Sequence, residues 1–515
     1  MADERDGRNA VDLRLSRLKQ ALKRATTIIL LIWIAFRFSG CPSLPRFAPD
    51  RVAPPWLTYS SISSALVFAP HSDDETMGCA GVIMHTLDSG GSVKVVLITN
   101  GDGFRAAAEG HSKKLLPSKA QFMALGYTRQ RETASALGML GLAPTNIEYL
   151  GYPDRGLSKM WTDRWDYSHL YTSRYTRANR SPYANSYRPG APYCGASLAE
   201  DVAQIIRDFQ PSHIFIPNPH DAHPDHWSTF AIVSYALGRL RAENALTSNP
   251  QVYGYLVHRG DWPLPRGWHP GWALDPPATL SRLPGEWIYM PLSKTEEHTK
   301  NAAIGQYHTQ FLLMRLYMLS FVRTNELFLS IASPIAPSMP DWAEQAKDRR
   351  GFWQDTPAVV YDPIYDTITR LMDVSADLRS ISCAVGESNL YILLKARGRV
   401  SNSVVYTVTI SNFDLHRTMI DASVGPGNVT RATATTAGGK KTGITAQATT
   451  SITSRIHIAA RYTDAGLEIA IPLSSLGESR GMVLIEASTQ VGSAVVDHTA
   501  WTVVRLNPDA PDIFR

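Results

Sequence analysis

Residues 65–75 read ALVFAPHSDDE and residues 213–226 read HIFIPNPHDAHPDH, and these two stretches decide the fold. In each of them, histidines and carboxylates closely follow a short apolar run. Short continuous apolar runs are typical of strands that are buried on both faces of a parallel sheet. Ligands bind such sheets beyond the carboxyl ends of the strands. We therefore expect both polar clusters at one edge of a sheet, where a ligand would bind.

The surrounding sequence extends this pattern from about residue 60 to residue 330. Residues 93–98 and 147–150 are two further apolar runs, and segments with apolar residues at helical spacing alternate with the strands. The predicted helices are 77–87, 118–140, 198–209 and 227–240. This alternation predicts an α/β fold, a Rossmann-like, mainly parallel sheet with helices on both faces.

Residues 159–196 interrupt that pattern with an irregular stretch rich in Tyr, Arg, Ser and Pro. Long irregular insertions in compact domains are usually functional lids or disordered linkers. The aromatic and arginine content favours a lid, although a disordered linker stays open.

The composition changes after a linker at residues 331–357. Residues 358–515 hold short segments rich in Val, Ile, Thr and Tyr, separated by Gly, Asn, Ser and Asp, which predict an all-β sandwich. The predicted strands are 390–395, 404–410, 455–462, 467–472, 482–487 and 499–504. Segments 377–378, 389–392 and 467–473 weakly resemble β-sandwich domains of the carbohydrate-binding type. A purely structural role for this region is an equal alternative.

The first 41 residues have the features of a signal or anchor segment. Seven basic and four acidic residues precede ATTIILLIWIAF at 25–36, which is short for a transmembrane helix and typical of a signal-peptide apolar region. Residues 38–41, Phe-Ser-Gly-Cys, resemble a bacterial lipobox, although Arg37 fits that motif poorly. We expect export to the cell envelope or periplasm, with the chain anchored in the membrane by an N-terminal helix or lipidated at Cys41. The alternative is an ordinary buried helix.

Composition excludes several classes of protein. The length of 515 residues exceeds what one core supports, so two folded units and a tail are expected. A net charge of +5, spread over 51 basic and 46 acidic residues, gives no concentrated basic patch and thus no nucleic-acid partner. Four cysteines are too few for a disulfide scaffold, and pairing of Cys194 with Cys383 stays open.

The two polar clusters contain the donors of a catalytic metal site. Such a zinc site needs three nitrogen or oxygen ligands and one open position. His71, Asp74 and His226 would supply the ligands for Zn²⁺, and Fe²⁺ also suits this donor set. The alternative, that these residues only form caps and turns, explains two such clusters poorly.

The same residues carry a family resemblance. The chain resembles the PIG-L/LmbE-like family of zinc-dependent de-N-acetylases, whose motifs are A-H-P-D-D-E and H-P-D-H. The second motif is intact at 223–226, whereas the first is altered by Pro70 and Ser72 at positions that are not ligands. Further similar segments are 129–132, 150–154 and the spaced residues Lys300, Ala303, Tyr307 and Gln310.

The resemblance implies a role for each site residue. Asp73 would be the general base, and His223 would stabilise the oxyanion, with Asp225 tuning its charge. Arg129 and Asp154 would contact sugar hydroxyls. For these last two residues, an exposed helix arginine and a turn former are the alternatives.

We therefore expect a hydrolase that uses metal-activated water to remove an acetyl group from an N-acetylated amino sugar, such as a GlcNAc-type glycan or glycoconjugate. One alternative is an envelope glycan-binding protein whose metal site is not catalytic. Another is the same site acting on a different amide or ester. The sequence leaves the natural substrate and the oligomeric state open.

Overall fold

A computed structural model describes residues 62–346, 348–364, 373–438, 451–478 and 481–514. The chain divides into two units. All helices and strands of the described residues lie in the unit formed by Pro54–His258 and Pro263–Arg515. Of the other unit, the structure describes only Arg259–Trp262, a turn closed by a bridge between its end residues.

The first part of the chain forms a seven-stranded sheet in the order β3-β2-β1-β4-β5-β7-β6. Its strands are β1 Ser64–Ala69, β2 Ser92–Thr99, β3 Ile147–Tyr152, β4 His213–Pro217, β5 Gln251–Tyr255, β6 Glu286–Pro291 and β7 Asn325–Ser330. The first five strands in this order pair in parallel, which confirms the predicted fold class. The four predicted strands of this region correspond to β1, β2, β3 and β4.

All four predicted helices of this region are present, and three of them begin three residues earlier than the apolar spacing predicts. They are α1 Asp74–Asp88, α2 Arg105–Ser112, α3 Lys119–Met139, α4 Leu157–Thr162, α5 Gly195–Phe209, α6 Pro224–Ala242, α7 Lys294–Ile304 and α8 His308–Leu319. Helices α1 and α6 each start three residues before the predicted position, because their first turns are made of motif residues rather than apolar ones. The apolar pattern therefore does not reveal that both motifs form helix N-termini.

Strands β5, β6 and β7 were missed by the sequence pattern. β7 pairs antiparallel with both β5 and β6, at the edge of the sheet. Strands in antiparallel pairs need not be apolar on both faces, so the continuous-run criterion does not detect them.

The irregular segment holds no helix or strand between Asp163 and Cys194, all of which is described. It packs against the parallel sheet through tyrosines: Tyr193 donates a hydrogen bond to the carbonyl of Gly151 over 3.0 Å, and Tyr183 to Oδ2 of Asp102 over 2.6 Å. Tyr183 lies so close to α3 that a Cβ at Gly126 would come within 2.3 Å of its hydroxyl oxygen. This segment is therefore ordered against the carboxyl-end edge of the sheet.

The last part of the chain is an antiparallel all-β region, preceded by the short helices α9 Asp341–Gln345 and α10 Arg350–Asp355. One sheet has the order β15-β16-β10-β9-β8 and the other β14-β13-β12-β11-β17-β18, with β19 also paired to β17. The strands are β8 Val360–Tyr361, β9 Leu378–Val385, β10 Asn389–Ala396, β11 Val405–Ser411, β12 His416–Gly425, β13 Val429–Gly438, β14 Ile452–Arg455, β15 Ala459–Thr463, β16 Gly466–Pro472, β17 Met482–Val491, β18 Ala494–His498 and β19 Thr502–Arg505. Side chains of both sheets, such as Ile392 and Ile420, share one hydrophobic cluster.

One predicted strand of this region is wrong. The stretch 455–462 is not one strand but the end of β14 followed by β15, and these belong to different sheets. Residues 456–458 cross from one sheet to the other, which a local run of β-forming residues does not reveal.

The all-β region and the α/β region share a hydrophobic core. Trp501 packs edge-on against Trp161 with ring centroids 5.4 Å apart, and Phe514 joins the same cluster. Arg417 of β12 is buried against the indoles of Trp161 and Trp165, with its guanidinium carbon 3.8 and 4.1 Å from their centroids. We call Arg417 and these two tryptophans the Arg417 cluster.

The described residues also bear on the cysteines and on membrane-spanning helices. Cys194 and Cys383 are both buried and unpaired, which settles the pairing that the sequence left open. In the part of the chain that the structure describes, no helix is both long and apolar enough to cross a bilayer. The N-terminal apolar run and Cys41 lie outside the described residues.

Candidate metal centre

The topology brings the two polar clusters together. β1 and β4 are adjacent and parallel, with Val67 opposite Phe215, so their carboxyl ends lie side by side. The chain order also reverses here, because β2 and β3 lie on one side of β1 and β4 and β5 on the other. Such a switch point opens a crevice at the carboxyl ends of the strands. Neither cluster alone could form this crevice.

His71, Asp74 and His226 meet in this crevice. Oδ2 of Asp74 lies 3.2 Å from Nδ1 of His71 and 3.1 Å from Nε2 of His226. Together with His258, these side chains each offer one ligand atom within 4.8 Å of the others. The three predicted ligands are thus within common reach of one cation, as a metal site requires.

The electrostatics also fit a cation. Burial opposes protonation of His226, yet the carboxylates of Asp221 and Asp74 raise its pKa to about 9. Oδ1 of Asp74 is buried and accepts no hydrogen bond from any described group. A buried carboxylate oxygen without a donor is costly unless something positive neutralises it. The donor set of imidazoles and one carboxylate suits Zn²⁺ or Fe²⁺.

Two carboxylates orient the histidines from behind. Asp225 Oδ2 lies 3.2 Å from Nε2 of His71, and Asp221 Oδ2 lies 3.0 Å from Nδ1 of His226. Carboxylates that hold the second ring nitrogen of a ligating histidine fix its tautomer and orientation. Asp221 is itself buried, with 1% of its surface exposed.

The expected pairing of Asp225 with His223 needs correction. The Asp225 carboxylate contacts His71 and the backbone amides of Arg155 and Leu157, at 2.6 and 3.1 Å. Only the backbone amide of Asp225 reaches His223, donating to Nδ1 over 3.2 Å. Side chains at helix positions two apart do not face each other, which is why the carboxylate turns to another element.

His223 forms the N-cap of α6, followed by Pro224 in the first turn. Burial, together with the neighbouring His71, lowers the pKa of His223 well below its usual value, so the ring is neutral at pH 7. Because Nδ1 accepts the backbone hydrogen bond, the ring proton is on Nε2. A neutral imidazole with its proton on Nε2 can donate a hydrogen bond to an oxyanion, as the predicted role requires.

Asp73 lies between the ligand group and Arg129. Its φ of 106° is in a region that residues other than glycine rarely adopt, and such strain is concentrated at functional sites. Burial raises the pKa of Asp73 to about 7, although Arg129, 3.6 Å away, opposes the increase. A carboxyl group with this pKa can exchange a proton at neutral pH.

Arg129 is 4% exposed, which rules out the alternative of an exposed helix arginine. Its Nη1 and Nη2 donate to the carbonyls of Gly101 and Ser72, each over 2.7 Å. Arg129 packs directly on Gly101, where a larger residue would not fit: φ is +61°, and a Cβ there would lie 2.0 Å from Nη1 of Arg129. Arg129 therefore joins the loops after β1 and β2, and its contact with a sugar stays a prediction.

Asp154 completes this side of the crevice. Its Oδ2 accepts the amide of Gly103 over 2.7 Å, and its Oδ1 lies 3.5 Å from Nε2 of His71. Tyr175 of the irregular segment lies beside Gly103 and Asp154. A Cβ at Gly103 would be 2.6 Å from the Tyr175 ring and 3.0 Å from the Asp154 carboxyl carbon. The half-buried Tyr175 was not singled out from the sequence, because nothing local ties it to this edge.

Comparison with known proteins places this region in a family. Residues 66–237, which include all of the predicted site residues, match the family model described as PIG-L, GlcNAc-PI de-N-acetylase. The chain contains a PIG-L domain. The match covers 172 of 515 residues and ends before the similar residues at 300–310, whose kinship stays a prediction.

The chain is also similar to one curated enzyme and to several solved structures. A 1D-myo-inositol 2-acetamido-2-deoxy-alpha-D-glucopyranoside deacetylase of Mycobacterium sp. (strain KMS) is 29% identical over 196 residues, covering 37% of this chain and 53% of that protein. The chain thus spans about half the length of this relative. N,N'-diacetylchitobiose deacetylase from Pyrococcus horikoshii is 17% identical, with a TM-score of 0.33, covering 52% of this chain and 84% of its own. GalB, the 4-carboxy-2-hydroxymuconate hydratase from Pseudomonas putida KT2440, is 18% identical, with a TM-score of 0.31 and coverages of 50% and 83%.

A buried polar brace supports the PIG-L domain's first motif. Tyr307 donates to Oε1 of Glu75 over 2.5 Å, and Oε2 of Glu75 accepts the amide of Asp73 over 3.1 Å. Lys300 donates to Glu326 over 2.7 Å and to the carbonyl of Met77 over 2.8 Å. Glu75 therefore braces the Asp73 loop, and Lys300 fixes the first helix that carries Asp74.

The motifs of the PIG-L domain do not include His258, which lies three residues after β5. Its Nε2 is 3.5 Å from Oδ1 of Asp74, and its ring centroid is 4.6 Å from that of His226. Sequence reasoning missed it because it missed β5. A histidine just beyond a strand's carboxyl end was the only available signal.

Proposed function

We propose that the chain is a metal-dependent hydrolase that removes the acetyl group from an N-acetylated amino sugar. The observation that carries this proposal is a spare buried carboxylate, Asp73, beside a ligand group within a PIG-L domain. A protein that only held a ligand through its metal would need no proton acceptor at this place. The description of the matched family model and the name of the curated relative support the amide of an acetylated amine as the bond that is broken.

His71, Asp74 and His226 would hold the ion. A bound Zn²⁺ or Fe²⁺ polarises the amide carbonyl and lowers the pKa of a water. Asp225 and Asp221 keep the two imidazoles in the orientation and tautomer that ligation needs. His85, His213 and the other described histidines outside the crevice take no part in this set.

Asp73 would accept the proton of the attacking water, since its pKa of about 7 matches neutral conditions. The Nε2 proton of His223 would stabilise the negative charge that develops on the carbonyl oxygen. The departing amine then takes a proton, either from Asp73 in its acid form or from His223. The positive φ of Asp73 and its contact with Arg129 help to hold the carboxylate at this position.

For the substrate, we propose a GlcNAc-type glycan or glycoconjugate. Asp154 and Arg129 line one side of the crevice, and the tyrosines of the irregular segment extend it. Sugar rings combine an apolar face with a hydroxyl edge, which matches an aromatic side chain beside carboxylates. The resemblance of the all-β region to carbohydrate-binding domains stays a prediction.

The experiment is a combined metal and turnover measurement on the full-length chain purified in detergent. Bound metal is quantified, and acetate release is measured with a panel of N-acetylated amino sugars, a simple N-acetylated amine and an acetyl ester. We expect about one ion per chain and release from the amino sugars. Stoichiometric metal with no turnover on any of these compounds would instead identify a binding protein, and turnover of the ester alone a different hydrolase.

We also propose that the enzyme is exported and stays attached to the membrane through residues 1–41. The basic residues ahead of the apolar run and the lipobox-like residues 38–41 support this. Membrane fractionation of cells that express the wild type or Cys41→Ser tests it. Release of the variant alone indicates lipidation, retention of both indicates a helical anchor, and recovery of the wild type in the cytosol contradicts export.

A further inference from the structure

His258 reaches the ligand group from an element that carries neither motif. It follows β5, whereas the predicted ligands follow β1 and β4. One ring nitrogen of His258 lies within 4.8 Å of the ligand atoms of His71, Asp74 and His226. Side chains that follow three different strands, β1, β4 and β5, therefore converge on one point.

The backbone holds His258 firmly in this position. Its amide donates to Oδ2 of Asp221 over 2.9 Å, and its carbonyl accepts the amide of Ala222 over 2.9 Å. Asp221 is the same carboxylate that lies against Nδ1 of His226. Asp221 therefore sets the position of both imidazoles, which couples the loop after β5 to the second motif.

The ring orientation is set from the outer side. The ring of Tyr317, on α8, stacks on that of His258 with a centroid distance of 6.0 Å and an interplanar angle of 16°. The Tyr317 hydroxyl donates to the carbonyl of Val257, the preceding residue. On the inner side, Nε2 of His258 faces Oδ1 of Asp74, the buried oxygen that accepts no hydrogen bond from the described residues.

We infer that His258 is a fourth protein ligand of the metal, so that three imidazoles and one carboxylate bind the ion. This inference rests on the proposed function only in that the site must hold a metal. Imidazole nitrogens suit Zn²⁺ and Fe²⁺, and zinc sites can take a fifth ligand during reaction. His258 is also the most exposed of the four, with 27% of its side chain accessible, so it lies where the ion would enter the crevice.

X-ray absorption at the zinc edge of the full-length, zinc-loaded wild type tests the inference directly. Outer-shell scattering from imidazole rings counts the histidine ligands. We expect three imidazoles, and a count of two would overturn the assignment. This measurement needs no variant, so it stands even if a substitution at His258 prevents folding.

Zinc affinity of variants gives the second measurement. Even loss of an outer-shell partner of a metal site typically weakens binding by about 10–100-fold, so His258→Ala should raise the Kd for Zn²⁺ at least tenfold. The matched control is His298→Ala, at an exposed histidine on α7 whose ring hydrogen-bonds to the carbonyl of Lys294 on the same helix. Its Kd should equal that of the wild type. An unchanged Kd in His258→Ala would contradict ligation.

The two proposals fail in distinguishable ways. Three imidazoles without acetate release would leave the ligand assignment intact and reject the deacetylase. Acetate release with two imidazoles, and with wild-type affinity in His258→Ala, would do the opposite.

Discussion

The candidate metal centre and the Arg417 cluster are both buried and both charged, but their polar atoms are arranged in opposite ways. In the metal centre, ligand atoms of four side chains converge, and Oδ1 of Asp74 has no hydrogen-bond donor among the described residues. In the Arg417 cluster, the guanidinium donates to the carbonyl of Trp161 over 2.9 Å and to Ser411 over 2.7 Å, and two indoles pack against it.

The difference teaches that buried charge by itself does not mark a functional site. Burial lowers the pKa of Arg417 to about 9, a large perturbation, yet its donors are used by the protein itself. Perturbed groups occur in structural networks as well as in active sites. The two regions differ in where their polar atoms point. In the metal centre, the ligand atoms of several side chains converge on one point, whereas the Arg417 guanidinium donates its hydrogen bonds to protein acceptors.

The largest expected effect tests the functional side of this comparison. Asp73→Asn should lower turnover by about 10²–10⁴-fold, because an amide cannot accept the proton of the attacking water. Metal content should stay at the wild-type level, since Asp73 is not in the ligand group. The measurement is acetate release together with bound metal.

Asp163→Asn is the matched control, because that aspartate is exposed and forms an ion pair with Lys159 on the surface. It should keep wild-type turnover. Undiminished turnover in Asp73→Asn would remove the base from the mechanism.

The second effect tests the structural side. Arg417→Ala should lower the free energy of unfolding by about 2–4 kcal/mol, because it empties the space between two indoles and leaves the carbonyl of Trp161 without its donor. Turnover per folded molecule should not change. Denaturant titration and acetate release measure the two quantities.

Two variants sharpen this result. Arg417→Met should cost less than Arg417→Ala, since the side chain fills the space and needs no desolvated charge. Arg455→Ala, at an exposed arginine of β14, should be neutral. A loss of turnover in folded Arg417→Met would mean that the Arg417 cluster contributes to the reaction.

Metal removal should distinguish the two regions in one experiment. With free metal about 100-fold above its Kd, binding adds about 2.7 kcal/mol to the free energy of unfolding, and a chelator should remove that amount. Arg417→Met should show the same difference between its metal-loaded and metal-free forms. If chelation left the stability unchanged, the convergent cluster would not bind a metal.

The smallest effect concerns pH in the all-β region. Burial raises the pKa of Glu486, on β17, to about 8, and Asp421 nearby adds to it. Above its ordinary pKa of about 4.5, the unfolded state releases this proton while the folded state retains it, so the contribution to stability falls as pH rises from about 4.5 to 8. Glu486→Gln should therefore stabilise the protein more at pH 8 than at pH 5, as urea titrations at both values would show. A gain of equal size at both pH values would contradict the buried-carboxyl interpretation.

Local sequence predicted strands β1 to β4 well and the antiparallel part of the sheet poorly. β1 and β4 are continuous apolar runs because both of their faces are covered, and such runs are visible without a structure. β5, β6 and β7 take part in antiparallel pairs, which need no such run, and the stretch 455–462 crosses between two sheets, so no local pattern identifies them. The same limit explains the missing ligand, His258, because its position depends on an undetected strand.

The residue types alone specify the chemistry: two motifs with imidazoles and carboxylates follow buried strands, at the edge where parallel sheets bind ligands. Which side chains contact each other depends on the packing of distant segments. It turned the Asp225 carboxylate to His71 rather than His223, placed Arg129 between two loops, and brought His258 beside Asp74. The physical reason is that residue type fixes what a side chain can donate or accept, whereas long-range packing of strands fixes which atoms it can reach.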